Sequence, residues 1–164
     1  MSLFDSSPYS LVGAEPESVG LSAMSLGVTS ERVVEARCLS QGLDVARPSV
    51  DMRGVDLIVN RCRVQVKSTQ RLYREPNGRT YYRFGAGTLP RTEANRKRHP
   101  VRHYTFLERS LLCNVFALYV HDEGLLFLLP SEYVRMRWRG HTLKLIPSER
   151  PGLDDYSVFT GGDL

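Results

Sequence analysis

Gly54-Val55-Asp56-Leu57-Ile58-Val59-Asn60-Arg61-Cys62-Arg63-Val64-Gln65-Val66-Lys67-Ser68-Thr69 holds two segments of strand character around a polar break. Val55 to Val59 is predicted as a strand. Val64 to Thr69 alternates apolar and polar residues, the period of a half-buried second strand. The polar stretch between Val59 and Val64 is predicted as the tight turn that makes the pair a hairpin. Gln65 and Lys67 are two apart and share a face. The carboxylate of Asp56, the amide oxygen of Gln65 and the ammonium of Lys67 can therefore converge, a grouping suited to a divalent ion beside a phosphate.

Upstream of the hairpin, Val33, Val34, Ala36, Cys38 and Leu39 predict an amphipathic helix over 29–41, capped by Thr29 or Ser30 and closed by Gly42. Leu43 to Ala46 is predicted as a short strand, broken by Pro48.

An acidic residue at a strand end, followed after a hairpin by Gln-x-Lys, resembles the PD-(D/E)XK nuclease superfamily. Within it, Gln65-Val66-Lys67 is similar to the branch of intron-associated homing endonucleases and junction resolvases. Ser30 to Val45 resembles that family's opening helix, glycine stop and first strand, and Arg47-Pro48-Ser49-Val50-Asp51 its lead into the catalytic hairpin. The match covers Gly27 to Gln70, about a quarter of the chain.

The resemblance implies an α/β (α+β) fold, restriction-endonuclease-like, with a mixed central sheet flanked by helices. It implies Mg2+ as the metal, with Mn2+ as a substitute, held by Asp56, Gln65, the backbone carbonyl of Val66 and a helical glutamate. Glu31 lies eleven residues before Gly42, where the family's glutamate usually falls. Glu35, one turn on, is the alternative. As an ordinary helix residue, Glu31 would instead complement the N-terminal dipole. Asp51 either supports the site or serves its loop. Lys67 would orient or deprotonate the attacking water and offset charge on the phosphorane-like transition state. Gln65 in place of the usual acid removes one charge from the cage. This leaves two readings: a metal-dependent endonuclease of DNA, or an inactive nuclease-like protein that binds nucleic acid. Two cuts on a duplex would imply a homo-oligomer.

Charge supports a polyanionic partner. Residues 1–60 carry four arginines and eight acids, a balance of −4, whereas 61–150 carry eighteen Lys+Arg and seven acids, a balance of +11. Arginine dominates, and its planar fork of donors suits phosphate. DNA is the expected partner, and an acidic protein a weaker alternative. Arg91, Arg96, Lys97, Arg98 and Arg102 form a basic loop near 90–105 that is expected to ride over the DNA backbone.

The 164 residues, 41% hydrophobic, fit one domain over 29–150, preceded by a loosely structured arm at 1–28 and followed by an acidic tail at 151–164. Neither a membrane span nor a secretory signal is visible, so a soluble, intracellular protein of the cytoplasm is expected. Cys38, Cys62 and Cys113 support neither a disulfide framework nor a zinc knuckle, and Cys38 and Cys113 read as core residues. The four histidines form no ligand pair and read as structural or phosphate-contacting. Thr80 to Phe84, Val115 to Val120, Leu125 to Leu129 and Thr142 to Ile146 are further predicted strands. Glu75-Pro76-Asn77-Gly78 is a turn, and a short helix begins near Ser131.

Overall fold

The computed structural model describes residues 22–50, 52, 54–85, 112–137 and 142–161. Helix α1 (Ala23–Ser40) leads into β1 (Val45–Ala46), β2 (Leu57–Val59) and β3 (Cys62–Thr69). Strands β4 (Leu72–Arg74) and β5 (Thr80–Gly85) follow, then β6 (Val115–Val120), β7 (Leu125–Pro130), α2 (Ser131–Arg137) and β8 (Thr142–Leu145). A 3-10 turn, Tyr156–Phe159, ends the described chain.

The five-stranded sheet has the order β1-β2-β3-β6-β7 and is mixed. β3 and β6 run parallel, with Val64 beside Val115 and Lys67 beside Leu118, and the other pairs are antiparallel. A three-stranded antiparallel sheet, β4-β5-β8, lies within and after the β3-to-β6 crossover. This is the expected mixed α+β architecture, with one refinement to the flanking layers. Helix α1 covers one face of the large sheet, whereas the small sheet, helped by α2, covers the other.

Burial explains the layering. Val34 and Cys38 of α1 pack on Leu57, Val59, Val64, Val66, Val115 and Ala117. On the other face, Phe116, Leu118, Phe127 and Leu129 meet Tyr82, Phe84, Leu143 and Leu145, with Val134 of α2. All six residues of β6 are buried, which is why its sequence is a continuous apolar run, the mark of a strand covered on both sides.

Helix α1 is longer than predicted. Its cap is Ser22, whose hydroxyl accepts from the Ser25 N–H at 3.2 Å, and residues 23–28 of the predicted arm belong to the helix. Its fully buried positions are Ser30, Val34 and Cys38, four apart, whereas Leu39 is exposed and Ala36 lies outward. Ser30 is tolerated there because its hydroxyl bonds the Leu26 carbonyl and His121 Nε2, the latter at 2.8 Å. His121 is thus a structural residue in the β6–β7 turn. The stop falls where expected: Gly42 adopts a φ of +75°, its N–H bonds the Leu39 carbonyl and the Leu43 N–H that of Cys38. This is a Schellman closure, which glycine forms without the steric cost of a Cβ.

The segment predicted as an acidic tail is in part a strap. The Leu128 N–H donates to the Gly152 carbonyl at 2.8 Å, the Asp154 N–H to that of Leu126 at 2.9 Å, and Phe159 is buried. Arg37 joins α1 to this strap and to the β6–β7 turn, donating to the Gly124 carbonyl at 2.8 Å and to Asp154 at 3.5 Å. The outer edge of β7 is covered, which removes an open template for strand addition. Cys38, Cys62 and Cys113 are free thiols, with Cys38 and Cys113 buried as expected.

Candidate active site

The hairpin turns at Asn60-Arg61, within the polar stretch predicted between the two strands. Both residues have positive φ, +45° and +70°, and Val59 pairs with Cys62, so the connection is a two-residue turn of the primed type that fits strand twist. Cys62 and Arg63 are therefore strand residues. At the far end of the hairpin the pairing forks. Leu57 is opposite Val64, yet the Asp56 N–H also reaches the Val64 carbonyl at 2.8 Å. Two residues facing one is the arrangement of a β-bulge, which re-aims the bulged side chain. Asp56 Oδ2 consequently accepts the Val66 N–H at 2.7 Å, replacing the strand partner that β2 no longer supplies. A strand residue's N–H and C=O leave the backbone on the same side, so the Val66 carbonyl is directed to the Asp56 side as well.

Asp56 is unusual electrostatically. Burial, the largest influence, raises its carboxyl above the ordinary carboxylate value; the Val66 N–H opposes this, Glu31 adds to it, and Lys67 and Arg47 oppose it. The structure thus brings Glu31, Asp56 and Lys67 within electrostatic reach of one another. Among the described residues, Asp56 Oδ1 accepts no hydrogen bond.

Gln65 and Lys67 lie on the face of β3 opposite Val64 and Val66. Their neighbours on β6 are Phe116 and Leu118, so two polar side chains interrupt an otherwise apolar layer. Gln65 is only 5% exposed, and its amide has no hydrogen-bond partner among the described residues. Leaving such a group unpaired costs about 1–3 kcal/mol, whereas a leucine there would gain from burial. The sequence therefore places a buried amide beside a carboxylate whose value burial raises. Cys113, also close, is a neutral thiol pushed up to about 12, chiefly by burial.

Glu31 is the ninth residue of an 18-residue helix, well beyond the reach of the N-terminal partial charge, so the dipole explanation for it lapses. Its carboxylate is held by Arg47, a residue whose role the linear pattern did not show. Arg47 donates to Glu31 at 3.1 Å and to Glu35 at 2.8 and 3.3 Å. Glu35 also meets Arg32 at 3.1 Å, and hydrogen bonding to Arg47 holds its carboxyl below the ordinary value. Glu31 has one partner and Glu35 two, which favours Glu31 as the carboxylate able to turn to another cation.

A lowered carboxyl value makes the Arg47 clamp worth most above the usual glutamate value of 4.5; the gain is lost as pH falls through the lower folded value. Arg47→Ala is therefore expected to lower the melting temperature by about 2–4 °C at neutral pH, the scale of about 1 kcal/mol from partly exposed pairs. Thermal scans should show the difference closing in acid. A constant difference across pH would assign the loss to packing.

Among the described residues, no three of His, Cys, Asp and Glu cluster to hold a metal ion. A cation here would rest on two carboxylates completed by neutral oxygens. The Gln65 amide and Asp56 Oδ1, without partners among the described residues, and the Val66 carbonyl are hard oxygen donors of the kind Mg2+ accepts while keeping several waters, so the residues fit such an ion. The expected DNA-contacting residues Arg91, Arg96, Lys97, Arg98 and Arg102 lie outside the described residues, as does Asp51.

No described helix is long and apolar enough to cross a membrane. No family model and no curated protein matches the chain. A solved structure described as a bacterial homing endonuclease, I-Ssp6803I, is similar with a TM-score of 0.50 and 18% sequence identity, over 76% of this chain and 75% of that one. At that identity the likeness is one of fold, the mixed α+β architecture of the described residues.

Proposed function

We propose that the chain is a metal-dependent endonuclease of the PD-(D/E)XK type that hydrolyses phosphodiester bonds in DNA. The observation that carries this reading is the forked hairpin. It holds a half-buried, bulge-aimed Asp56 and a buried Gln65 beside Lys67, polar side chains set against apolar layers, with no partner for the Gln65 amide among the described residues. The fold shared with a bacterial homing endonuclease accords with it.

Asp56, Gln65, the Val66 carbonyl and Glu31 would hold Mg2+, with Mn2+ as a substitute; when bound, the ion supplies Lewis-acid polarisation of the scissile phosphate. The Val66 N–H fixes one Asp56 carboxylate oxygen. Lys67 orients the attacking water and balances the charge that grows on the phosphoryl oxygens. Arg47 holds the Glu31 carboxylate of α1 at 3.1 Å. A homo-oligomer would present two such sites to the two strands of a duplex.

The second reading, a scaffold that binds DNA without cutting, is favoured by the Arg47 clamp on Glu31 and by the missing acid at Gln65. Cleavage of supercoiled plasmid, linear duplex and four-way-junction DNA with Mg2+, Mn2+ or chelator separates the two. Metal-dependent cutting is expected, with Lys67→Ala reducing it about 10²- to 10⁴-fold. Salt-sensitive binding without cutting of any substrate would establish the scaffold instead.

A further inference from the structure

The outer face of the small sheet has a composition unlike the rest of the described surface. Antiparallel register places Tyr73 opposite Tyr81 and Arg83 opposite Lys144. The alternate residues Tyr82, Phe84, Leu143 and Leu145 face the core, so these four side chains share the outward face. The Tyr73 and Tyr81 rings are 5.2 Å apart, the Arg83 guanidinium stands 5.7 Å from the Tyr73 ring centre, and Lys144 Nζ 4.2 Å from that of Tyr81. The rings thus fix two cations on one side of the sheet.

Among the described residues, the arginines of this face lack acidic partners. Arg71, Arg74, Arg79 and Arg83 fall within one hairpin and its approach, and none has an acidic partner among the described residues. Glu75 is the single acid of the group and is taken by Lys144 at 3.1 Å and by the Tyr81 hydroxyl at 2.8 Å. The arginines of α1 and β1 behave differently: Arg32, Arg37 and Arg47 each pair with an acid. Like charges directly opposite on neighbouring strands destabilise a sheet; of the opposed pair Arg83 and Lys144, Glu75 answers Lys144 and no described acid answers Arg83. Tyr73, 42% exposed, and the exposed arginines are open to solvent, whereas Tyr81 is buried under Lys144.

We propose that this face is a docking surface for the phosphodiester backbone of double-stranded DNA, separate from the hairpin site. Arg71 and Arg83 supply bidentate donors to phosphate, and Tyr73 holds the Arg83 guanidinium in place. The contact is to backbone and is indifferent to base sequence. The proposal rests on the nuclease reading only for the choice of DNA as partner.

The test is titration of a short labelled duplex with chelator present, by fluorescence anisotropy, between about 50 and 200 mM salt. Relative to wild type, Arg71→Gln/Arg83→Gln is expected to bind about tenfold more weakly and to lower the slope of log affinity against log salt by about 2, close to 0.9 per phosphate contact. Arg32→Gln, on an acid-paired arginine, serves as the surface control and should change affinity less than twofold. Unchanged affinity and slope in the double variant would overturn the proposal, as would preference for single-stranded DNA of the same sequence or no DNA binding by wild type. Failure of the nuclease reading looks different: wild type then binds with the full slope but cuts nothing with metal, and the double variant still loses its share of that slope.

Discussion

Asp56→Asn is expected to raise the melting temperature of the metal-free protein while reducing DNA cleavage by about 10²- to 10³-fold. Asparagine keeps an oxygen to accept the Val66 N–H, so the bulge geometry survives. What it removes is a carboxylate whose value burial has raised. A raised acid binds its proton more tightly folded than unfolded. Asp56 therefore contributes most to stability below its ordinary value of 3.8, and that contribution is lost as pH climbs through the raised folded value. At neutral pH the ionised group is a net cost, and the amide removes it. Mg2+ should reverse the ranking. A ligand at about one hundred times its Kd stabilises the folded state by about 2.7 kcal/mol, so wild type should gain about 5–10 °C and Asp56→Asn much less. Thermal scans with chelator and with Mg2+ check both halves. A lower melting temperature for Asp56→Asn without metal would make Asp56 a structural bulge residue, and equal Mg2+ shifts in both proteins would place the ion elsewhere.

The same logic runs through the hairpin. Gln65 occupies a position whose β6 neighbour is Phe116, and an apolar residue there would extend the core. Stability lost at Gln65 and Asp56 is offset by the apolar layers on either side of the sheet, where Phe116, Phe127 and Leu118 are essentially inaccessible to solvent. A residue pair that the fold carries at a cost is better evidence of chemistry than its spacing alone.

That distinction also shows what could be read from the chain. The hairpin, the β6–β7 pair and the glycine stop at Gly42 were legible because each is set by local pattern: alternation, an unbroken apolar run, a residue without a Cβ. The start of α1 was not, because residues 23–28 carry little apolar periodicity and their helical state depends on the Ser22 cap. Strand β4 escaped notice because Leu72-Tyr73-Arg74 is three residues long and is a strand by virtue of pairing with β5. Arg47 read as part of a connecting loop. Its bond to Glu31 crosses sixteen residues of sequence, and only the return of the chain beside α1 creates it. The turn lay within the polar stretch between Val59 and Val64, but its two central residues were not singled out there, because arginine rarely adopts positive φ. The C-terminal strap was hidden for a related reason: two acids, Asp154 and Asp155, mask the anchors Leu153 and Phe159.

Gly152→Ala tests that strap and should be the most damaging single change outside the hairpin. Gly152 has a φ of +62°, which an L side chain adopts at a cost of about 1–3 kcal/mol. A Cβ there would collide with the Leu128 carbonyl oxygen and stand 2.7 Å from Leu129 Cδ2. The first neighbour is backbone of β7 and cannot swing aside, so the strap itself must lift. Lifting breaks the bond from the Leu128 N–H to the Gly152 carbonyl and that from the Asp154 N–H to the Leu126 carbonyl, about 1 kcal/mol each. It also loosens Leu153 and Phe159 from the two apolar layers that they join. The combined loss is about 3–5 kcal/mol, a fall of about 6–15 °C in melting temperature. Freed of its cover, β7 becomes an open edge, and concentration-dependent aggregation should accompany the fall. Thermal scans with light scattering read both. A shift of less than about 2 °C would mean that the strap does not pack on β7 as described. A large shift without aggregation would mean that another segment covers that edge. Because the strap lies on β7, the strand at the other end of the sheet from β1 and β2, residual folded protein should keep its metal-dependent stabilisation, which distinguishes this loss from damage to Asp56.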